Sequence, residues 1–271
     1  AISPGAKPCL WEANFFKLYG DYMIVCSRII PAVLMHNRDC VQTKNFKRCD
    51  YLGDILNICR ILSEKSADEI MIFDISGAGI DFEMLTDISS SVFMPITYGG
   101  NISSLHEAAK LFKLGIEKIS VKSLFFQKPS EVKMIVEEFG SQAVSLCIDY
   151  KGSGEAAQII SSGQNEPSSL NFTEAVERAH DIGIGEFILQ SIDRDGLRIG
   201  YDIDTLHQFR QLSKKPIVIA GGCANLQHMV LALSNGASAT SAGSLFSYLG
   251  RLDGRLTSYP TEKQKFTLLE T

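Results

Sequence analysis

The chain has 271 residues, of which 45% are hydrophobic and 21% charged, and its formal net charge is −5. That length suits one α/β barrel, which takes about 250 residues. The acidic balance argues against a nucleic-acid partner, which needs a basic face. It does not argue against a small anionic ligand, because backbone N–H groups bind phosphate without net positive charge. No apolar run approaches the roughly 18 residues of a membrane span. The seven cysteines are odd in number and form no Cys-x-x-Cys pair, so they read as reduced thiols of a cytoplasmic chain. No cofactor and no metal is expected.

Residues 1–22 carry neither a signal-peptide apolar region nor barrel patterning, and Met23 reads as a natural start. They are expected to be an N-terminal extension or leader, with one barrel domain over 23–271. Short β-branched runs then alternate with stretches of helical period. Strands are predicted at 28–33, 69–75, 95–98, 118–121, 143–148, 186–191, 216–220 and 239–242. Helices are predicted at 54–66, 104–114, 130–139, 172–182, 203–213 and 226–235. This alternation gives a parallel sheet with right-handed crossovers. Eight such units close into a single (β/α)8 TIM barrel. An open doubly wound sheet is the alternative, weakened because no Gly-x-Gly-x-x-Gly follows the first strand.

The chain also repeats itself. Tyr98-Gly99-Gly100-Asn101 matches Ala220-Gly221-Gly222-Cys223, and Ser120-Val121-Lys122-Ser123-Leu124-Phe125 matches Ser241-Ala242-Gly243-Ser244-Leu245-Phe246. Ala67-Asp68-Glu69-Ile70 matches Ile184-Gly185-Glu186-Phe187. All three matches share an offset of about 120 residues, the signature of two half-barrels of four βα units.

Chemistry is expected where this repeat places glycines after strands. A glycine pair lets backbone N–H groups approach an anion with no Cβ in the way. Alone, each Gly-Gly pair reads equally well as a plain chain turn. In both halves, however, the pair is joined one unit later by Lys122-Ser123 or Gly243-Ser244, which points to two phosphate sites facing across one mouth. Asp149 ends strand five, where barrel catalysts sit. It reads as a general acid or base, or as a loop cap. Asp195 in Asp193-Arg194-Asp195-Gly196 reads as a substrate-loop residue or a loop anchor, and Asp74 as structural. Arg28, Glu69, Lys118 and Glu186 begin four strands at the opposite end. Two cations and two anions there could close a ring of ion pairs, but in isolation such charges read as solvated or locally paired.

The runs Arg28-Ile29-Ile30-Pro31, Asp68 to Ile75, Phe139 to Val144, Ser191-Ile192-Asp193-Arg194-Asp195-Gly196 and Gly200-Tyr201-Asp202 resemble the cyclase subunit of imidazole glycerol phosphate synthase. The resemblance covers about residues 24–250, and the Asp-Arg-Asp-Gly run is its most specific part. It implies a (β/α)8 barrel with a glutaminase subunit at its N-terminal face. Ammonia would cross the barrel to a bisphosphorylated nucleotide at the mouth. It maps the phosphate sites onto Gly100, Lys122 and Ser123 in one half and Gly196, Gly222, Gly243 and Ser244 in the other. It places Ser191 and Asp195 in the substrate loop, and turns Arg28, Glu69, Lys118 and Glu186 into an ammonia gate.

The chain departs from the family at one central point. The family's first strand reads Ile-Ile-Pro-Cys-Leu-Asp, and its aspartate is one of two catalytic carboxylates. Here Leu34 holds that position, so Asp149 is the carboxylate that remains. Gln42 stands where the resemblance implies a loop lysine, and Asn101 where it implies a third glycine. A paralogous branch with leucine at the first-strand position, linked to acetamidino modification of surface sugars, resembles this chain more closely. So does the ending Gly254-Arg255-Leu256-Thr257-Ser258-Tyr259-Pro260. That branch implies a sugar amidotransferase as a further partner, and a bisphosphorylated nucleotide or phosphosugar as ligand. Two alternatives stand beside it: an authentic histidine-pathway cyclase, and a catalytically silent scaffold that activates the glutaminase.

Overall fold

A computed structural model describes residues 16–19, 22–25, 27–162, 166–249 and 254–269. Of the N-terminal extension, residues 1–15, 20 and 21 lie outside the described residues. The strands Phe16–Tyr19 and Tyr22–Val25 pair antiparallel as a two-stranded sheet of their own.

Eight strands form the barrel wall: β1 (Arg28–His36), β2 (Ile70–Asp74), β3 (Ile96–Gly99), β4 (Lys118–Val121), β5 (Val144–Lys151), β6 (Glu186–Ser191), β7 (Ile217–Ala220) and β8 (Ala239–Ala242). Each pairs in parallel with the next, and β8 pairs with β1, so the sheet closes. The structure is a (β/α)8 barrel. The longer helices are α1 (Ile55–Glu64), α2 (Phe82–Ser91), α3 (Leu105–Lys113), α4 (Pro129–Phe139), α5 (Phe172–Ile182), α6 (Ile203–Leu212), α7 (Leu226–Ser234) and α8 (Glu262–Leu269). Most begin at side chains that satisfy the first free N–H groups. Asp54, Asp81, Ser104, Asp202 and Asn225 all accept at the N-cap, and Asn171 with Glu174 forms a capping box.

Strand parity decides which chemistry faces inward. On β1, Ile29, Val33 and Met35 join the large core between sheet and helices, while Ile30 joins a separate cluster inside the barrel with Met71, Ile188, Val218, Ala220 and Ala239. Successive strand residues point to opposite faces. The same parity turns Ala32 and Leu34 on β1, and Cys147 and Asp149 on β5, toward the barrel axis at its C-terminal end. Full burial of each apolar side chain contributes about 1.5–3 kcal/mol. The two apolar clusters therefore hold the charged ends of the barrel in place.

The structure adds two elements that the strand reading did not contain. β1 continues to His36 and leads into a hairpin, Asp39–Lys44 with Lys47–Asp54, that extends the sheet over the mouth. β5 runs on to Lys151 and pairs antiparallel with Gln158–Ser162. Helix α2 also fills the crossover between β2 and β3, where no helix was named from sequence.

Candidate active site

The C-terminal strand ends surround a cavity of about 600 Å³, within the usual range of a few hundred to a thousand Å³ for a small-molecule site. Its centre is an ion pair. Lys122, the residue after β4, places Nζ 2.6 Å from Oδ2 of Asp149 on β5. Adjacent parallel strands in register bring the two together. Asp149 is buried, and its other oxygen accepts from the Cys147 thiol at 3.3 Å. Burial pushes that thiol far above its ordinary range, with the Asp149 charge adding to the effect, so it stays neutral. Burial alone lowers an amine pKa. Here the Asp149 carboxylate outweighs it and holds Lys122 above its usual value, as an ammonium.

The glycine loops lie on either side. Gly99, Gly100, Asn101 and Ser123 line one part of the cavity, and Gly221, Gly222, Gly243 and Ser244 another. The paired loops expected from the repeat therefore converge on one space. Packing also requires several of these glycines, Gly100 and Gly222 most sharply. Gly100 has φ +111°, and a Cβ there would sit 2.2 Å from the carbonyl oxygen of Asp74. Gly222 has φ +98°, and its Cβ would meet the Gly200 carbonyl oxygen at 2.2 Å. Gly243 differs: its backbone is ordinary, and an added Cβ would press chiefly on Oε1 of Gln42, the end of a flexible side chain. Gly222→Ala is thus expected to lose about 1–3 kcal/mol of stability, while Gly243→Ala keeps near-native stability. Urea unfolding of both variants checks the contrast, and equal losses would contradict it.

The hairpin after β1 closes over this space and locks onto the loop after β6. The Thr43 hydroxyl donates to Oδ2 of Asp195 at 2.6 Å, and the Phe46 N–H donates to the same oxygen at 3.2 Å. The Asn45 side chain donates to the carbonyls of Ile192 and Asp193. Asp195 thus anchors the hairpin while lining the cavity together with Gly196. Burial raises its pKa above the ordinary carboxylate range, against the two hydrogen bonds, and the Asp149 charge adds to the rise. A raised folded-state pKa gives stability that is full below the unfolded value, about 3.9, and is lost as pH rises through the folded value. Asp195→Asn retains an acceptor for both donors. Its unfolding free energy is therefore expected to fall less than the native protein's as pH rises from about 4. Urea melts across that window measure the slope, and identical slopes would refute the assignment.

The other expected residues separate by role. Leu34 and Gln42 both line the cavity. Asp74 also borders it, but one oxygen binds the Ser76 N–H and hydroxyl and the other accepts from Tyr98, consistent with a structural anchor. Ser191 is buried and lies outside the cavity lining. Sequence reading did not single out Phe73, Ser120, Cys147, Gln190, Arg198 or Ser241, which also line it. Inward strand parity was the signal for several of these. The Ser120 and Ser241 hydroxyls, equivalent in the two halves, find no hydrogen-bond partner among the described residues.

At the N-terminal end the four strand-start charges close into a ring. Arg28 bridges Glu69 at 2.5 Å and Glu186; Lys118 reaches Glu186 at 2.6 Å and Glu69 at 3.8 Å. Thr97 donates to Glu69 at 2.6 Å. Despite burial, Lys118 and Arg28 hold Glu186 below the usual carboxylate range. Of the readings open from sequence, the ring of ion pairs is the one these contacts match, because four strand starts meet at one narrow axis. Among the described residues no group of three or more His, Cys, Asp or Glu side chains is arranged to hold a metal ion. No helix among them is long and apolar enough to cross a membrane.

Comparison with known proteins places this geometry. Residues 28–253 match the family model described as histidine biosynthesis protein. A Vibrio vulnificus protein provisionally named imidazole glycerol phosphate synthase subunit hisF3 is 32% identical over 256 residues, covering 92% of this chain and 98% of the relative. The chain belongs to the family of HisF-like imidazole glycerol phosphate synthase subunits. A Pseudomonas aeruginosa relative, provisionally named subunit hisF2, is 35% identical over 88% of this chain and 97% of its own length. The imidazole glycerol phosphate synthase subunit HisF of Pyrobaculum aerophilum is 32% identical over 83% and 92% respectively. The family match spans every barrel strand, so both the charged ring and the mouth described above belong to the shared domain.

Proposed function

We propose that this protein is the cyclase-like subunit of a glutamine amidotransferase complex. A glutaminase docks on the N-terminal face and releases ammonia at the charged ring. The ammonia crosses the barrel and reacts at the mouth with a ligand that carries a phosphate at each end. A bisphosphorylated nucleotide or a phosphosugar has that form. The observation that carries this reading is the polarity of one barrel. An ion-pair gate closes one end, apolar Ile30, Met71, Ile188, Val218 and Ala239 fill the middle, and Lys122 with Asp149 sits between two glycine-lined loop pairs at the other. One phosphate would lie against Gly100 and Ser123 with Lys122 at its side. The other would lie among Gly196, Gly222, Gly243 and Ser244.

Leu34 sets the finer reading. It lines the cavity but has no proton to give or take. Cyclisation is therefore reduced or altered, and the nitrogen goes onward to a surface sugar as an acetamidino group, with a sugar amidotransferase as further partner. The second reading is an authentic histidine-pathway cyclase. The Pyrobaculum relative's name and the retained Asp149 favour it.

The test combines the protein with its glutaminase, glutamine and the bisphosphorylated ribulosyl carboxamide nucleotide. Imidazole glycerol phosphate formation and glutamine turnover are followed together. Nucleotide binding and stimulated glutamine turnover with weak cyclisation support the proposal. Rapid cyclisation supports the second reading, and failure to bind the nucleotide overturns both.

A further inference from the structure

We infer that Lys122 and Asp149 form a catalytic proton-shuttling pair, in which the lysine is the acid and the aspartate the base for addition of a nitrogen nucleophile to a carbonyl of the ligand. This assignment rests on the ammonia-dependent reading above. It goes beyond it by giving Lys122 a role other than holding phosphate.

Three observations carry it. First, the contact itself: Nζ and Oδ2 are 2.6 Å apart, close enough for direct proton transfer. Second, the surroundings: Asp149 is almost sealed, at 5% side-chain exposure, whereas Lys122 keeps 24% and lines the cavity. The ammonium can thus meet a ligand while the carboxylate stays poorly solvated. The neighbouring cavity carboxylates are committed elsewhere, Asp74 to Ser76 and Tyr98, and Asp195 to Thr43 and Phe46. Third, the internal repeat: Lys122 corresponds to Gly243, and Asp149 to Leu34. Both members of the pair lie on the β4–β5 side, and both of their counterparts are neutral.

The step balances without a further reactant. The lone pair of the nitrogen nucleophile attacks the carbonyl carbon, the C–N bond forms, and the π pair of the C=O bond moves to oxygen. Lys122 transfers a proton to that oxygen. The new C–N nitrogen gives a proton to Asp149. The proton then crosses from Asp149 to the Lys122 amine and restores ammonium and carboxylate. The product is a carbinolamine, and nothing is oxidised or reduced.

The test uses the full chain with the bisphosphorylated ribulosyl carboxamide nucleotide and ammonium chloride as nitrogen source. Nucleotide Kd is measured by calorimetry and single-turnover product formation at saturating nucleotide. Lys122→Met is expected to slow turnover at saturating nucleotide about 100-fold or more, with the lost phosphate contact appearing separately in Kd. Lys122→Arg keeps the charge but cannot readily release a proton, so it should bind nucleotide and remain slow. Rescue of the rate by Lys122→Arg overturns the proposal, as does a Lys122→Met protein that binds poorly yet turns over normally when saturated. Native protein that binds nucleotide without turnover also overturns it, while leaving the ligand reading in place. Native protein that does not bind nucleotide removes both.

Discussion

Asp149→Asn is expected to lower ammonia-dependent turnover by about 10²–10⁴, the usual contribution of a positioned acid or base, with nucleotide affinity held within a few-fold. The substitution is nearly isosteric at a buried position where both carboxylate oxygens are engaged. An amide retains an acceptor for one of these contacts but neither takes up the proton nor balances the Lys122 charge. Lys122 is partly open to the cavity, so its ammonium can turn toward solvent and the barrel should fold. Single-turnover kinetics with ammonium chloride separate rate from binding and leave the glutaminase out of the reaction. A loss that appears only as weaker nucleotide binding, with full rate at saturation, would mean that Asp149 merely shapes the site. A second consequence follows from charge: Asp149 contributes to the raised pKa of Asp195. The variant should therefore also lower the pH at which the hairpin anchor ionises.

Most of the barrel wall was legible because its strands are short β-branched runs separated by helices with conventional caps. Parity along those runs also brought Asp149 to the mouth. The hairpin over the mouth was not legible, and its turns show why. Both have consecutive positive-φ residues, Asn37-Arg38 and Asn45-Phe46, with φ between +51° and +70°. Two-residue turns of this kind usually announce themselves as Asn-Gly or Asp-Gly. Here arginine and phenylalanine occupy the glycine position, and tertiary contacts such as Phe46 N–H to Asp195 hold the strained backbone. The Lys122–Asp149 contact was hidden for a different reason. Each residue was noted for its own strand end, but the contact depends on the β4–β5 register, which a one-dimensional pattern does not contain. At the other end, two cations and two anions at strand starts could be read as a ring or as solvated or locally paired ends, and closure of the sheet decides between these by bringing them to one axis.

That closure makes Arg28→Met the most destabilising single change expected, at about 3–5 kcal/mol, the cost of stranding buried charge. Arg28 is 14% exposed in its side chain and spans Glu69 and Glu186, themselves only 6% and 7% exposed. The two carboxylates hold its guanidinium above its ordinary pKa even though burial opposes the charge. Methionine fills part of the space but leaves Lys118 to serve both carboxylates, and its distance to Glu69 is already 3.8 Å. Sequestered negative charge, rather than the lost attraction, should dominate the cost. Adding Glu69→Gln alone to Arg28→Met leaves Lys118 paired with Glu186 at 2.6 Å and is therefore expected to recover much of the stability, which urea unfolding of the single and double variants would measure. The pH response gives an independent sign. Glu186 is held below its ordinary pKa in the native fold, so its contribution is present above the unfolded value, about 4.3, and fades as pH falls through the folded value. Without Arg28, burial opposes ionisation with less compensation. The variant should then be least disadvantaged in acid and most disadvantaged near neutrality. If the deficit were the same at pH 4 and pH 7, the ring would be acting through packing and not through its charges.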